Sequence, residues 1–125
     1  MSLQAVLLVF LGSGLGGVLR YLVSHVHKLV TGGELHFVPI LLVNLVGSFC
    51  IGVAFGFVLK EQLNTNLSLF LLAGVLGGFT TYSSFSLDIL RLLTKGEYLT
   101  AGTYIISTLF LCTLTVFLGF WLAKA

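Results

Sequence analysis

Gly77-Gly-Phe-Thr-Thr-Tyr-Ser-Ser-Phe85 lies inside a run, residues 62–87, that contains no Asp, Glu, Lys or Arg. The run is long enough to cross a bilayer, for which about 20 apolar residues suffice. Yet six of these nine residues are Gly, Thr or Ser, which weaken a helix where a membrane span should be most regular. Non-helical backbone persists at that depth only where protein buries it or where it faces a polar cavity. The stretch therefore predicts a third span broken near its middle, with freed carbonyls suited to a small hard cation such as Na+. Beyond the break, Tyr82, Phe85 and Ile89 share one helical face, and Thr80, Ser84 and Asp88 share another.

Working outward, the chain of 125 residues is 58% hydrophobic and 8% charged, against about 25% charged for soluble domains. Its ten charged side chains leave three further uncharged runs, 1–19, 35–59 and 98–123. Four spans follow, at about 3–27, 36–59, 67–93 and 98–123, in a single four-span membrane domain covering 1–125. The expected class is an all-α integral membrane protein. The first run lacks a basic n-region and outlasts a signal-peptide core, so it reads as a span. Cys50 and Cys112 both lie within spans and imply no disulfide framework. Pro39, the one proline, suits the first turn of the second span.

Loop charges set the expected orientation. Lys60 and Lys124 fall on one side, and Lys28, Arg91 and Lys95 on the other, joined by Arg20 if it reaches that interface. So small a bias weakens the positive-inside signal. Insertion both ways round, giving an antiparallel homodimer, is one reading; a single orientation set by one or two extra basic residues is the other. Fifteen glycines supply small-xxx-small pairs, Gly12/Gly16, Ser13/Gly17, Gly52/Gly56 and Gly74/Gly78, that let helices approach closely. Gly12–Gly17 also matches G-x-G-x-x-G, but without a strand–helix context that match carries no meaning.

Polar side chains at membrane depth are the candidate functional groups. Asn44 either bonds helix to helix or offers its amide to an anion or water. Arg20 either snorkels to the interface or sits at a vestibule mouth. In the fourth span Tyr104, Thr108, Cys112 and Thr115 fall on one face. Their hydroxyls either bond back to the preceding turn or line a narrow polar track. His25, His27 and His36 read as interfacial, without metal-ligand spacing.

Gly-Gly-Phe-Thr-Thr-Tyr-Ser-Ser-Phe-Ser, 77–86, resembles the signature of the Fluc (CrcB) family of fluoride channels. The Gly-rich first span ending in Arg20 and the Asn-x-x-Gly of Asn44 and Gly47 resemble further markers, so the likeness covers essentially the whole chain. It implies a dual-topology homodimer with two antiparallel fluoride pores, exporting F− passively across the cell inner (plasma) membrane of a prokaryote. By position, Gly77 and Thr80 would hold a central structural Na+ through backbone carbonyls. Asn44, Tyr82, Phe85, Ser83, Ser84, Thr108, Cys112 and Arg20 would attend the fluoride pathway. The implied partners are fluoride, a second copy and the lipid bilayer, with no nucleic acid. Tyr82 stands where many members have Phe, and Cys112 where some have a hydroxyl.

Physical chemistry supports this independently. A dry fluoride route needs donors and positive ring edges to replace water, and no Lys or Arg ring is present that would trap the anion. No nucleophile–base or metal constellation points to an enzyme. The rival is a small dual-topology proton-coupled exporter of cationic compounds, which needs a carboxylate at membrane depth. Asp88, near a span end beside Arg91, is the one candidate in the third span.

Overall fold

The computed structural model describes residues 2–125. Helix α1 (Leu3–Thr31) begins on Ser2, whose hydroxyl accepts the Ala5 N–H at 3.2 Å. It runs a turn past the predicted end at 27, because the apolar pattern continues and Lys28 suits the carbonyl end of the helix. Gly32 stops it in the left-handed conformation at φ 70°, which glycine adopts without steric cost. Helix α2 (Val38–Leu59) opens with Pro39 in its first turn, as its missing N–H allows.

The third span, Thr65–Thr94, is segmented. A turn of α-helix, α3 (Thr65–Ser68), starts on Asn64, whose side chain accepts the Leu67 N–H at 2.8 Å. A π-helical segment, Leu69–Leu76, follows, then the short α4 (Gly77–Phe79). Thr80 and Thr81 are extended, and α5 (Tyr82–Thr94) completes the crossing. The predicted break is therefore present, two residues later than the glycine pair itself. The π segment was not expected, since Leu-Phe-Leu-Leu-Ala-Gly-Val-Leu looks like ordinary helix. Helix α6 (Tyr98–Lys124) forms the last span.

All four spans are long and apolar enough to cross a membrane. They pack as two close pairs, α1 against the π segment and α2 against α6, and α5 returns onto α6. Glycine makes both pairs possible. A Cβ at Gly12 would stand 2.6 Å from the Phe70 carbonyl oxygen and 2.8 Å from the Gly74 Cα. A Cβ at Gly52 or Gly119 would collide with the facing carbonyl of Val116 or Phe49. Close approach of this kind substitutes for the hydrophobic drive that lipid does not provide. Gly12, Gly16, Gly52 and Gly56 thus all serve contacts within one chain, whereas Gly14, Gly17 and Gly102 face open space. Ile40, Phe85, Leu92, Ala101 and Tyr104 form a tight apolar cluster near the α1–α2 loop. Much of the remaining surface is exposed Leu, Val and Phe, as a surface solvated by lipid requires.

Candidate functional site

At the break the backbone leaves the helix for two residues, Thr80 at φ −77°, ψ 156° and Thr81 at φ −155°, ψ 125°. A buried peptide that leaves its helix must find new partners. Asn44 of α2 supplies both. Its Oδ1 accepts the Thr81 N–H at 2.9 Å, and its Nδ2 donates to the Thr81 carbonyl at 3.0 Å. The interhelical role is thus realised, against the backbone of the break rather than against a side chain. One of the two Nδ2 protons is left for another acceptor.

Threonine does the rest locally. Thr80 closes α4 by donating its N–H and its hydroxyl to the Leu76 carbonyl, at 3.0 and 2.9 Å. Thr81 caps α5, its hydroxyl oxygen accepting the Ser84 N–H at 3.2 Å. The break leaves carbonyls between Gly77 and Thr80 without their helical donors. A continuous helix would pair Gly77 C=O with the Thr81 N–H, which goes to Asn44. It would pair Thr80 C=O with the Ser84 N–H, which goes to Thr81 Oγ1. Gly77 and Thr80 are thus among the backbone oxygens of the break that have the chemistry to face a hard cation. Two such oxygens from one chain do not complete a coordination shell.

Beside the break lies a cavity of about 250 Å³, lined by Asn44 and Ser48 of α2, by Thr80, Thr81, Tyr82 and Phe85, and by Thr108, Leu109, Cys112 and Thr113 of α6. The two rings differ sharply. Phe85 is 4% exposed, its ring edge-on to Tyr104 at 5.1 Å between centroids, whereas Tyr82, 5.7 Å from Phe85, is 76% exposed. Tyr82 projects from the free face of the chain. The α6 hydroxyls split as well. Ser107 and Thr115 bond back to the preceding turn, on Thr103 and Cys112 carbonyls at 2.6 and 3.0 Å. Thr108 Oγ1, buried at the cavity wall, has no partner among the described residues. A hydroxyl in that state is available to a ligand.

The structure thus brings together Asn44, Tyr82, Phe85, Thr108 and Cys112, with Thr80 at their edge. Ser84 instead lines a second chamber nearer the α1–α2 loop. Exposed Ser83 holds its hydroxyl 3.2 Å from that of Thr81. Arg20 is half-buried on α1 and lines neither chamber.

Residues 7–120 match the family described as "CrcB-like protein, Camphor Resistance (CrcB)". The chain belongs to the CrcB family. Among its CrcB relatives is the "Fluoride-specific ion channel FluC" of Coxiella burnetii (strain CbuK_Q154), 42% identical over 91% of this chain and 93% of the relative. Proteins of the same name in Gloeothece citriformis and Phocaeicola vulgatus are 42% and 38% identical, over 95% and 98% of this chain and 96% and 100% of theirs. It is, with its four spans, a multi-pass membrane protein.

Three polar lining residues of this CrcB chain escaped the sequence reading: Ser48, Thr81 and Thr113. Ser48 had a usable signal, since it lies one turn beyond Asn44 on the same face of α2. Thr81 was hidden behind Thr80, and which threonine caps and which lines the cavity depends on where the break falls.

Proposed function

We propose that the chain is a fluoride-selective passive channel that lets F− leave the cytoplasm and so lowers cellular fluoride. Neutral HF crosses lipid, dissociates inside, and leaves the anion trapped unless such a route exists. The observation that carries the reading is the cavity at the break, which a buried phenyl ring, an unpaired threonine hydroxyl and an amide with a spare proton all line. Each is a weak electropositive donor, and several weak sites in place of one cation favour passage over capture. The close relatives, named as fluoride-specific channels, support the same conclusion. The function is conduction, not catalysis.

The working unit in this proposal is an antiparallel homodimer in the prokaryotic inner membrane. Exposed Tyr82 and an open cavity flank suit a partner surface of the same chain in inverted orientation. A two-fold axis near the break would bring the Gly77 and Thr80 carbonyls of both copies around one Na+, which bound there would add a fixed positive charge near the anion's path. The proton-coupled exporter is not favoured: the relatives bear a channel's name, and Asp88 is tied to Arg91 at 3.1 Å.

Proteoliposomes loaded with fluoride or chloride and read with ion-selective electrodes test the proposal. Rapid electrogenic fluoride release without chloride release is expected. No fluoride release from folded protein would overturn it.

A further inference from the structure

The second chamber, about 430 Å³, sits one turn outward from the cavity at the break along α2 and α5. These helices run antiparallel, so residues before Asn44 on α2 and after Thr81 on α5, Ile40 and Asp88 among them, line the same chamber. An anion arriving from the α1–α2 loop side meets this chamber first. Two of its polar groups are unfinished. Asp88 is 2% exposed; its Oδ1 accepts from Arg91 Nη1 at 3.1 Å, but its Oδ2 is buried without a partner among the described residues. His36 Nε2 is buried and unpartnered in the same way. Both residues line the chamber, and Arg91 lines it with them.

The loop that delivers His36 is held in an unusual shape. Gly32, Gly33 and Leu35 all have positive φ, Leu35 at 47°, a conformation that a bulky L residue adopts only at a cost. Strain of this kind persists where the surrounding structure gains from the placement, and here the loop carries His36 to the wall of the chamber that Asp88 also lines.

We propose that His36 is a positioning residue for Asp88, and that the two form a proton-responsive pair controlling how readily fluoride enters from the loop side. The proposal rests on the fluoride-channel reading. The charged and titratable groups around the pair are few. Helix α1 presents Lys28 and His27, whose Nδ1 lies 3.4 Å from the Thr31 hydroxyl. The loop presents His36, α5 presents Asp88 and Arg91, and α2 presents only Pro39 and Ile40. Helix α6 contributes the buried hydroxyl of Tyr104. With His36 neutral, two cations, Lys28 and Arg91, face one carboxylate. A proton on His36 offers the carboxylate's free oxygen a donor through a bridging water in the chamber and adds a second net positive charge. Imidazoles change charge between about pH 5 and 8, and a cationic, low-dielectric chamber concentrates anions. Fluoride flux should therefore rise as pH falls through that range.

The test is fluoride efflux from proteoliposomes at equal internal and external pH, about pH 8 and about pH 6, with the leak of protein-free vesicles subtracted at each. The unmodified protein should run about threefold or more faster at the lower pH. His36→Gln, which keeps a neutral donor, should conduct at both pH values with the ratio reduced to about one, as should Asp88→Asn. A wild-type pH ratio in His36→Gln would overturn the proposal, as would a flat profile in the unmodified channel. If Asp88→Asn does not fold, the 13C carboxyl resonance of Asp88 in the unmodified protein decides. It should shift in step with the His36 ring, and independent titration would overturn the pairing. No release at either pH would overturn the channel reading instead, and the Asp88 resonance would then judge the pair alone.

Discussion

Replacing Asn44 by Asp alters charge at the break while keeping shape. The acceptor toward the Thr81 N–H, now 2.9 Å away, survives. The donor toward the Thr81 carbonyl becomes a second oxygen about where Nδ2 now sits, 3.0 Å from it. Losing that bond and setting an oxygen against the carbonyl costs about 1–3 kcal/mol of stability. The effect on conduction is separate and larger. A cavity of 250 Å³, treated as a sphere, has a radius of about 4 Å, so an anion at its centre stands roughly 5 Å from a carboxylate in its wall. At an effective dielectric constant near 20 that repulsion is about 3 kcal/mol, which slows passage on the order of 100-fold. Asn44→Ala separates the two effects. It loses both bonds to Thr81 and should be the less stable protein, yet it carries no charge and should conduct better than Asn44→Asp. Efflux by fluoride electrode, beside melting of each variant followed by size-exclusion chromatography, gives both orders. Equal flux in the two variants would refute the electrostatic argument, and wild-type flux in folded Asn44→Asp would remove Asn44 from the pathway.

Three further outcomes follow from particular contacts. Gly52→Val should destabilise the fold by about 2–4 kcal/mol, because the added side chain meets the Val116 carbonyl of α6; an unchanged melting temperature would contradict the α2–α6 packing. Thr108→Val removes a buried hydroxyl that lacks a partner, so it should leave stability equal or raise it by about 1 kcal/mol while slowing fluoride several-fold. A less stable variant with normal flux would place that hydroxyl outside the route. Cys112→Ser puts a stronger donor on the cavity wall and should raise fluoride flux at unchanged fold, which stopped-flow efflux would read directly.

The four crossings, the polar break in the third and the family were legible in the chain itself, because each depends on a one-dimensional property. Uncharged run length decides whether a segment spans, and Gly77-Gly78 beside Thr80-Thr81 decides that the third span cannot stay helical. The π segment was not legible, since its residues favour either helix equally. Tertiary structure alone decided what the polar groups do. Asn44 meets Thr81 across 37 positions of chain, Ser84 turns to a chamber other than the one holding Phe85, and Thr108 stays unpaired while Ser107 bonds to its own helix. His36, which reads as an interfacial residue in the sequence, ends with a buried ring nitrogen beside a buried acid. The physical reason is the same in each case. A helix's residues determine which side chains share a face, but the rotation and depth at which that face meets another helix come from close packing at Gly12, Gly16, Gly52 and Gly119, and those contacts exist only once the chain has folded.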